Sequence, residues 1–483
     1  MKFIFKFSLG IFIAFLVFQS CEDYDDNPVP YSLEVKDFIW KGLNLYYLWQ
    51  ADEPNLADNR FAMQSDLNVF LKGYETPELL FEDLLVARTT DRFSVIFNDY
   101  TVLEGILQGT AKSNGVDYGL RYKTGSTTEI YGWVRYILPN SDASAKNIQR
   151  GDIFYAVNGT PLTSNNYRDL LNLEAYTLNL ADYNDGNITP NGESVELSKS
   201  AYTENPVFQI NVVEIEDKKI GYLMYNGFYS GFENQLNQAF GQLKSQGITH
   251  LVLDLRYNSG GSVDTATRLA SMITGQFNAE IFAKQQWNAK VEAYYNDTNP
   301  SALVNRFTDV INNGNLINSL NLTKVYIISS GSTASASELV INGLKPYINV
   351  VQIGTTTVGK NVGSVTLYDS PTFGKEDKNP NHKYAMQPIV LRITDKNGFG
   401  DYVNGLDPNI EQAENLANLG IIGDQNEPLF NTAINYILDN GRMGQPYTED
   451  KQVYFMDSKS IRKFGNEMYL EELPEGFNPF LLK

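Results

Sequence analysis

The sequence predicts an α/β fold, preceded by a helical region and then by a β-rich one. Three observations predict it. From Ile220 onward, short β-branched and aromatic runs alternate with stretches whose apolar residues recur at helical spacing. Between residues 98 and 205 the texture is strand-rich and turn-rich. Between residues 31 and 97 the apolar residues fall on helical faces.

Composition bounds the reading. At 483 residues the chain has room for two or three domains, and 42% hydrophobic residues is ordinary for a globular protein. A net charge of -19 argues against nucleic acid or an anionic membrane surface as a partner. Cys21 is the single cysteine, so no intrachain disulfide and no cysteine-based zinc cluster can form. His250 and His382, far apart in sequence, make a His-rich metal site a poor reading as well. The acidic runs Asp23 to Asp26 and Asp182 to Gly186 complete no EF-hand loop and read as solvated polar loops. No metal and no cofactor is expected.

In chain order, residues 1–20 form a targeting segment: Lys2 and Lys6 give a positive start, and Leu9 to Phe18 a short apolar core. The segment ends Phe18-Gln19-Ser20-Cys21, which resembles a bacterial lipoprotein box, with Phe at the minus-three position where Leu is usual. The resemblance implies cleavage before Cys21, lipidation of that residue, and an acidic, Pro-containing tether over residues 21–30. The implied location is an exported lipoprotein, anchored to the outer membrane of a Gram-negative-type bacterium on its periplasmic or surface face. Residues 31–97 read as a packed helical domain, from Val35, Phe38, Ile39, Leu43, Tyr46, Tyr47 and Trp49 to Leu79, Leu80, Leu84 and Leu85.

Residues 98–205 contain Asp117 to Tyr122, a strand start, and Ile137 to Leu162, a small-residue helix (Ala143, Ala145, Ile148) followed by Gly151-Asp152-Ile153 and the Val157-Asn158-Gly159 turn. The second stretch resembles the PDZ pattern. PDZ domains add a peptide as an extra strand and hold its terminal carboxylate on backbone N–H groups. Tyr118, Gly119 and Leu120 are the expected carboxylate loop, and Asp182 to Glu193 an inserted loop.

Residues 206–445 hold the alternating elements. Ile220 to Tyr225 and His250 to Leu255 read as strands; Phe232, Leu236, Phe240 and Leu243, then Ala266, Leu269, Met272 and Ile273, read as helices. Between the second strand and its helix stands Asn258-Ser259-Gly260-Gly261, where adjacent glycines let backbone N–H groups face a developing oxyanion. Val325 to Ile328 is the next strand, followed by a small polar loop, Ser335, and a helix carrying Leu339, Val340 and Leu344; Val350 to Ile353 then leads through a loop to Lys360. Loops at the carboxyl ends of parallel strands share one edge, which brings Ser335 and Lys360 to the same place. A serine hydroxyl needs a base, and neither histidine stands where a triad base is expected. A lysine serves if burial depresses its pKa; a fall of about three units costs roughly 4 kcal/mol of folded-state stability near neutral pH. Such a cost is characteristic of functional sites.

TASASE followed, 25 positions from Ser to Lys, by GTTTVGK, together with LVLDLRYNSGG from Leu251 to Gly261, resembles the C-terminal-processing, or tail-specific, serine peptidases. The resemblance implies a crotonase-like catalytic domain, Ser335 as nucleophile, Lys360 as general base, and an oxyanion hole from N–H groups of Gly260, Gly261 and Ala336. It also implies a PDZ domain in the 98–205 region and polypeptide substrates. Where such peptidases often carry a glutamine four residues after the lysine, this chain has Ser364; Ser364 and Glu338 are the candidates for that supporting role. Gly400 to Pro408 resembles the segment that closes the catalytic domain, and residues 446–483 read as a tail that packs back as strands. Two other readings compete. Ser460-Ile461-Arg462-Lys463 matches the Ser-x-x-Lys string of penicillin-interacting acyl transferases, without their companion elements. A peptide-binding surface lipoprotein with a weak or inactive peptidase domain is the non-enzymatic alternative, against which the intact Ser335, Lys360 and glycine pair argue.

Overall fold

The structure, a computed structural model, describes residues 29–439, 453–465 and 467–474, apart from Asp185. The expected signal, Cys21 and the first part of the tether lie outside the described residues. Among the described residues no helix is long and apolar enough to cross a membrane.

The centre is a six-stranded sheet in the order Val207–Ile215, Lys218–Tyr225, His250–Asp254, Lys324–Ser329, Asn349–Gly354, Ile410–Glu411. Its first pair is antiparallel and the remaining pairs are parallel. Parallel strands are buried on both faces, which explains their near-continuous apolar runs. Leu251, Leu253, Val325 and Ile327 pack to one side with Leu236, Phe240, Ala266 and Leu339 from three helices, Glu233–Ser245, Val263–Thr274 and Ala336–Leu344. Val252, Tyr326, Ile328 and Val351 pack to the other, against Leu429, Phe430, Ala433 and Ile434 of the helix Pro428–Leu438. The alternation along each strand therefore sorts side chains into two layers, as the two-residue period of a strand requires.

The 31–97 region is helical, with Glu34–Tyr46 its longest element. Its apolar face is not a separate core. Phe38, Ile39, Leu43, Leu80 and Phe81 join the same buried cluster as the α/β helices. The strand Val95–Phe97 then pairs with Ala385–Gln387.

The β-rich region has its own core, including Val116, Leu120, Val134, Phe154 and Leu178. Its strands run Tyr454–Asp457, Val116–Tyr122, Ile130–Ile137, Ile153–Val157, Ala175–Asn184, Asn187–Ser198. Three expectations are corrected here. Tyr118, Gly119 and Leu120 are not a loop; they form the middle of the strand Val116–Tyr122, since alternate side chains there pack inward. Gly119 is needed because a Cβ would lie 2.1 Å from the Trp133 ring. The segment from Asp182 to Glu193 is not an inserted loop but the far end of a hairpin, with Asn184 opposite Asn187. The small-residue helix reduces to a single 3-10 turn, Ala143–Ala145.

A second six-stranded sheet flanks the first, in the order Gly261–Ser262, Met468–Leu470, Val362–Val365, Ile389–Asp395, Ile281–Trp287, Val304–Arg306. The tail thus supplies strands to two sheets: Tyr454–Asp457 at the edge of the β-rich region and Met468–Leu470 inside this one.

Candidate active site

Three loops converge at the carboxyl ends of His250–Asp254, Lys324–Ser329 and Asn349–Gly354. They carry Gly260–Gly261, Ser335 and Lys360 respectively. Ser335 caps the helix Ala336–Leu344 with φ 65 and ψ -115, a conformation disfavoured for a residue with a Cβ. Its Oγ is buried and makes no hydrogen bond.

Glu338, one turn into that helix, ties the serine turn to the lysine loop. Its carboxylate accepts from the N–H of Ser335 (2.7 Å), the Thr357 hydroxyl (2.5 Å), and the N–H groups of Gly359 (2.7 Å) and Lys360 (2.9 Å). Burial still pushes its carboxyl above the usual range, against those four bonds. Glu338 therefore acts on the main chain of both key residues. Ser364 also stands apart from the ammonium in its contacts: its hydroxyl donates to the Met468 carbonyl (3.2 Å) and accepts from Gln387 Nε2 (3.2 Å).

Lys360 is fully buried. Its Nζ lies 3.1 Å from Glu467 Oε2 and 4.4 Å from the Phe93 ring centroid. Arg92, beside Phe93, donates to the Gly359 carbonyl at 2.8 Å. Burial holds the Lys360 ammonium below the ordinary lysine range, and the Glu467 carboxylate opposes this without overcoming it.

The glycine pair divides its work differently from expectation. The Gly260 N–H is already given to Asn258 Oδ1 at 2.9 Å. What Gly260 supplies is room: at φ 111, a Cβ there would stand 2.6 Å from Ser335 Cβ and 3.1 Å from the Ala336 N. The Gly261 N–H points at the site and is taken by the Glu467 carbonyl. Ala336 is the first residue of its helix, where an N–H has no intrahelical acceptor. The Gly260 N–H is thus engaged within its own turn, while the Gly261 N–H is held by the tail and the Ala336 N–H has no intrahelical acceptor.

Sequence reasoning missed Glu467, Phe93 and Arg92, which come from the tail and the helical region. No local motif marks them. It also passed over Asp254 and Arg256 inside the motif it quoted. The Arg256 guanidinium is fully buried and binds Asp254 (2.7 Å), Glu427 (2.6 Å) and Glu414 (3.1 Å), fixing the loop that begins the glycine turn. In the Ser-x-x-Lys string of the tail, the Ser460 N–H donates to Asp457 Oδ1 at 2.7 Å. Among the described residues no group of three or more His, Cys, Asp or Glu is placed to hold a metal ion.

Comparison with known proteins agrees with this geometry. The profile described as peptidase family S41 matches residues 219–372, and that of the peptidase S41 N-terminal domain matches residues 34–95. The chloroplastic C-terminal processing peptidase of Tetradesmus obliquus is 26% identical over 271 residues, 53% of this chain and 54% of that protein. The carboxyl-terminal-processing protease of a Picosynechococcus species is 24% identical over 231 residues, 46% of this chain and 49% of that protein. The match thus spans about half the length of these relatives. A crystal structure of a Bacteroides fragilis protein assigned to the S41 proteases superimposes with a TM-score of 0.63 at 26% identity, over 83% of this chain and 97% of that one. On the two profiles, these relatives and the shared architecture, the chain is similar to peptidase family S41 over residues 219–372 and to its N-terminal domain over residues 34–95.

Proposed function

We propose that the protein is an exported serine endopeptidase that hydrolyses peptide bonds in the C-terminal regions of proteins or peptides, through a Ser335–Lys360 dyad. The observation that carries this reading is the strained Ser335 turn, its hydroxyl without a partner, joined through Glu338 to the loop of a buried, pKa-depressed Lys360. In the proposed reaction the neutral Lys360 amine takes the Ser335 proton as Oγ attacks the scissile carbonyl. The Gly261 and Ala336 N–H groups hold the oxyanion. The Lys360 ammonium then protonates the leaving amine, and a water deprotonated by Lys360 hydrolyses the acyl-enzyme. The β-rich region acts as a PDZ-like domain that receives an extended peptide along the strand Val116–Tyr122. The lipid anchor at Cys21 places the enzyme on the outer membrane.

A fluorophosphonate probe tests the dyad. It should label Ser335, identified by mass spectrometry of the labelled peptide, and Ser335→Ala should abolish both labelling and cleavage of casein. Labelling at another residue, or casein cleavage that survives Ser335→Ala, overturns the assignment. For the anchor, Cys21→Ala should move the protein from the membrane to the soluble fraction or leave the signal uncleaved. Normal cleavage with unchanged membrane fractionation would refute the lipoprotein reading.

A further inference from the structure

Ser335 and Lys360 are both 0% exposed. No polypeptide reaches them in this arrangement, and the chain's own C-terminal segment lies against the site. The segment starts as the strand Tyr454–Asp457, antiparallel on the outer edge of Val116–Tyr122, with Met456 opposite Leu120 and Asp457 opposite Gly119. Asp457 binds Arg135 at 3.2 Å and the hydroxyl of Ser332, in the loop of the nucleophile, at 2.5 Å. The Lys459 ammonium, itself buried, donates to the carbonyls of Asn226 (2.7 Å) and Tyr257 (3.0 Å). Glu467 then meets the site three times: its N–H donates to the Ser259 carbonyl (3.0 Å), its carbonyl accepts the Gly261 N–H, and its carboxylate pairs with Lys360 (3.1 Å). Beyond it, Met468–Leu470 fills a slot one strand wide, parallel both to Gly261–Ser262 and to Val362–Val365.

The groups engaged are the ones a peptide substrate needs: a free sheet edge, an oxyanion donor, the general base and a slot between two strands. Extended peptides bind by adding a strand to such edges. We propose that residues 453–465 and 467–474 act as an internal occluding segment, lying along the route of the substrate polypeptide and displaced by it before Ser335 reacts. This rests on the peptidase reading of Ser335 and Lys360. The same geometry explains why the segment is an occupant and not a substrate. The Glu467 carboxylate favours the ammonium form of Lys360, which cannot accept a proton, while the Glu467 carbonyl holds the Gly261 donor. Asp457 and Glu467 are the two latches, one at the β-rich region and one at the dyad.

The test uses the full mature chain. Asp457→Asn and Glu467→Gln keep side-chain volume while removing the charges that hold the segment. Each should cleave casein at least threefold faster than the wild type, and the double variant faster still, with amides of 454–457 and 468–470 exchanging hydrogen faster. Cleavage at or below the wild-type rate in variants with wild-type circular dichroism overturns the proposal, because the segment would then be a fixed part of the fold. A second measurement does not depend on those variants folding. In Ser335→Ala, saturating casein should accelerate exchange of the same amides severalfold; unchanged protection with casein bound overturns displacement. Faster exchange on casein binding, with no cleavage and no fluorophosphonate labelling in any variant, would support the occluding segment and refute the peptidase reading.

Discussion

In the proposed dyad Lys360 is a base at a pH where a lysine is ordinarily an acid. Burial lowers its pKa, and the Glu467 carboxylate at 3.1 Å works in the opposite direction. In the folded state the pKa is depressed relative to the unfolded chain, so the group's full contribution to stability is present above the unfolded value. It is lost as pH falls through the folded value. Near neutral pH the amine therefore costs stability. Lys360→Met should lower kcat/KM by about 10²–10⁴, the usual worth of a general base, while leaving the melting temperature equal or higher. The wild-type kcat/KM should rise with pH through the depressed pKa, and Glu467→Gln should move that rise to lower pH. A Met variant that keeps most of its activity, or a profile that falls as pH rises there, would remove Lys360 from the base role.

At the scale of elements, the glycine turn is held by a buried ion cluster. Arg256 leaves the end of His250–Asp254 and binds Glu427 through both terminal nitrogens, at 2.6 and 3.0 Å. Glu427 is also the N-cap of Pro428–Leu438, accepting from the Phe430 N–H. The helix on one face of the sheet is thereby tied to the loop that presents Gly261. Glu414 completes the cluster: burial pushes its carboxyl up, but Arg150 and Arg256 outweigh this and bring it down to about 2. Removing one partner of a buried pair strands the other's charge. Glu427→Ala should therefore destabilise the protein by about 3–5 kcal/mol, measured by urea unfolding. A loss below about 1 kcal/mol would mean that the cluster relaxes or hydrates when opened.

At the scale of the whole molecule, the site is where three regions meet. The α/β sheet brings Gly261, Ser335 and Lys360 to one edge. The helical region supplies Phe93 and Arg92 around the lysine loop. The β-rich region reaches the nucleophile loop through Arg135, whose guanidinium donates to the Ser332 hydroxyl at 2.8 Å. The tail pairs with Val116–Tyr122 of the β-rich region and, farther on, with Val362–Val365 of the second sheet. An extended chain displacing it would touch the β-rich region and the dyad together, so peptide capture and access to Ser335 are one event in this architecture.

The sequence by itself determined the order of strands and helices, because periodicity and turn residues are local and each element states its own buried face. It placed Ser335 and Lys360 after parallel strands, whose carboxyl ends share an edge wherever those strands lie in the sheet. It carried the resemblance to C-terminal-processing peptidases through TASASE, GTTTVGK and LVLDLRYNSGG. What it could not determine are contacts between segments far apart in the chain. Tyr118 to Leu120 read as a loop, but pairing with Ile130–Ile137 and Tyr454–Asp457 makes them strand. Gly260 read as an oxyanion donor, but the Asn258 side chain takes its N–H. Glu467 carries no motif and lies 107 positions from Lys360, so only tertiary structure decided their pairing. A tail residue acquires its chemistry from what it lands on, and that is set by the packing of the entire chain.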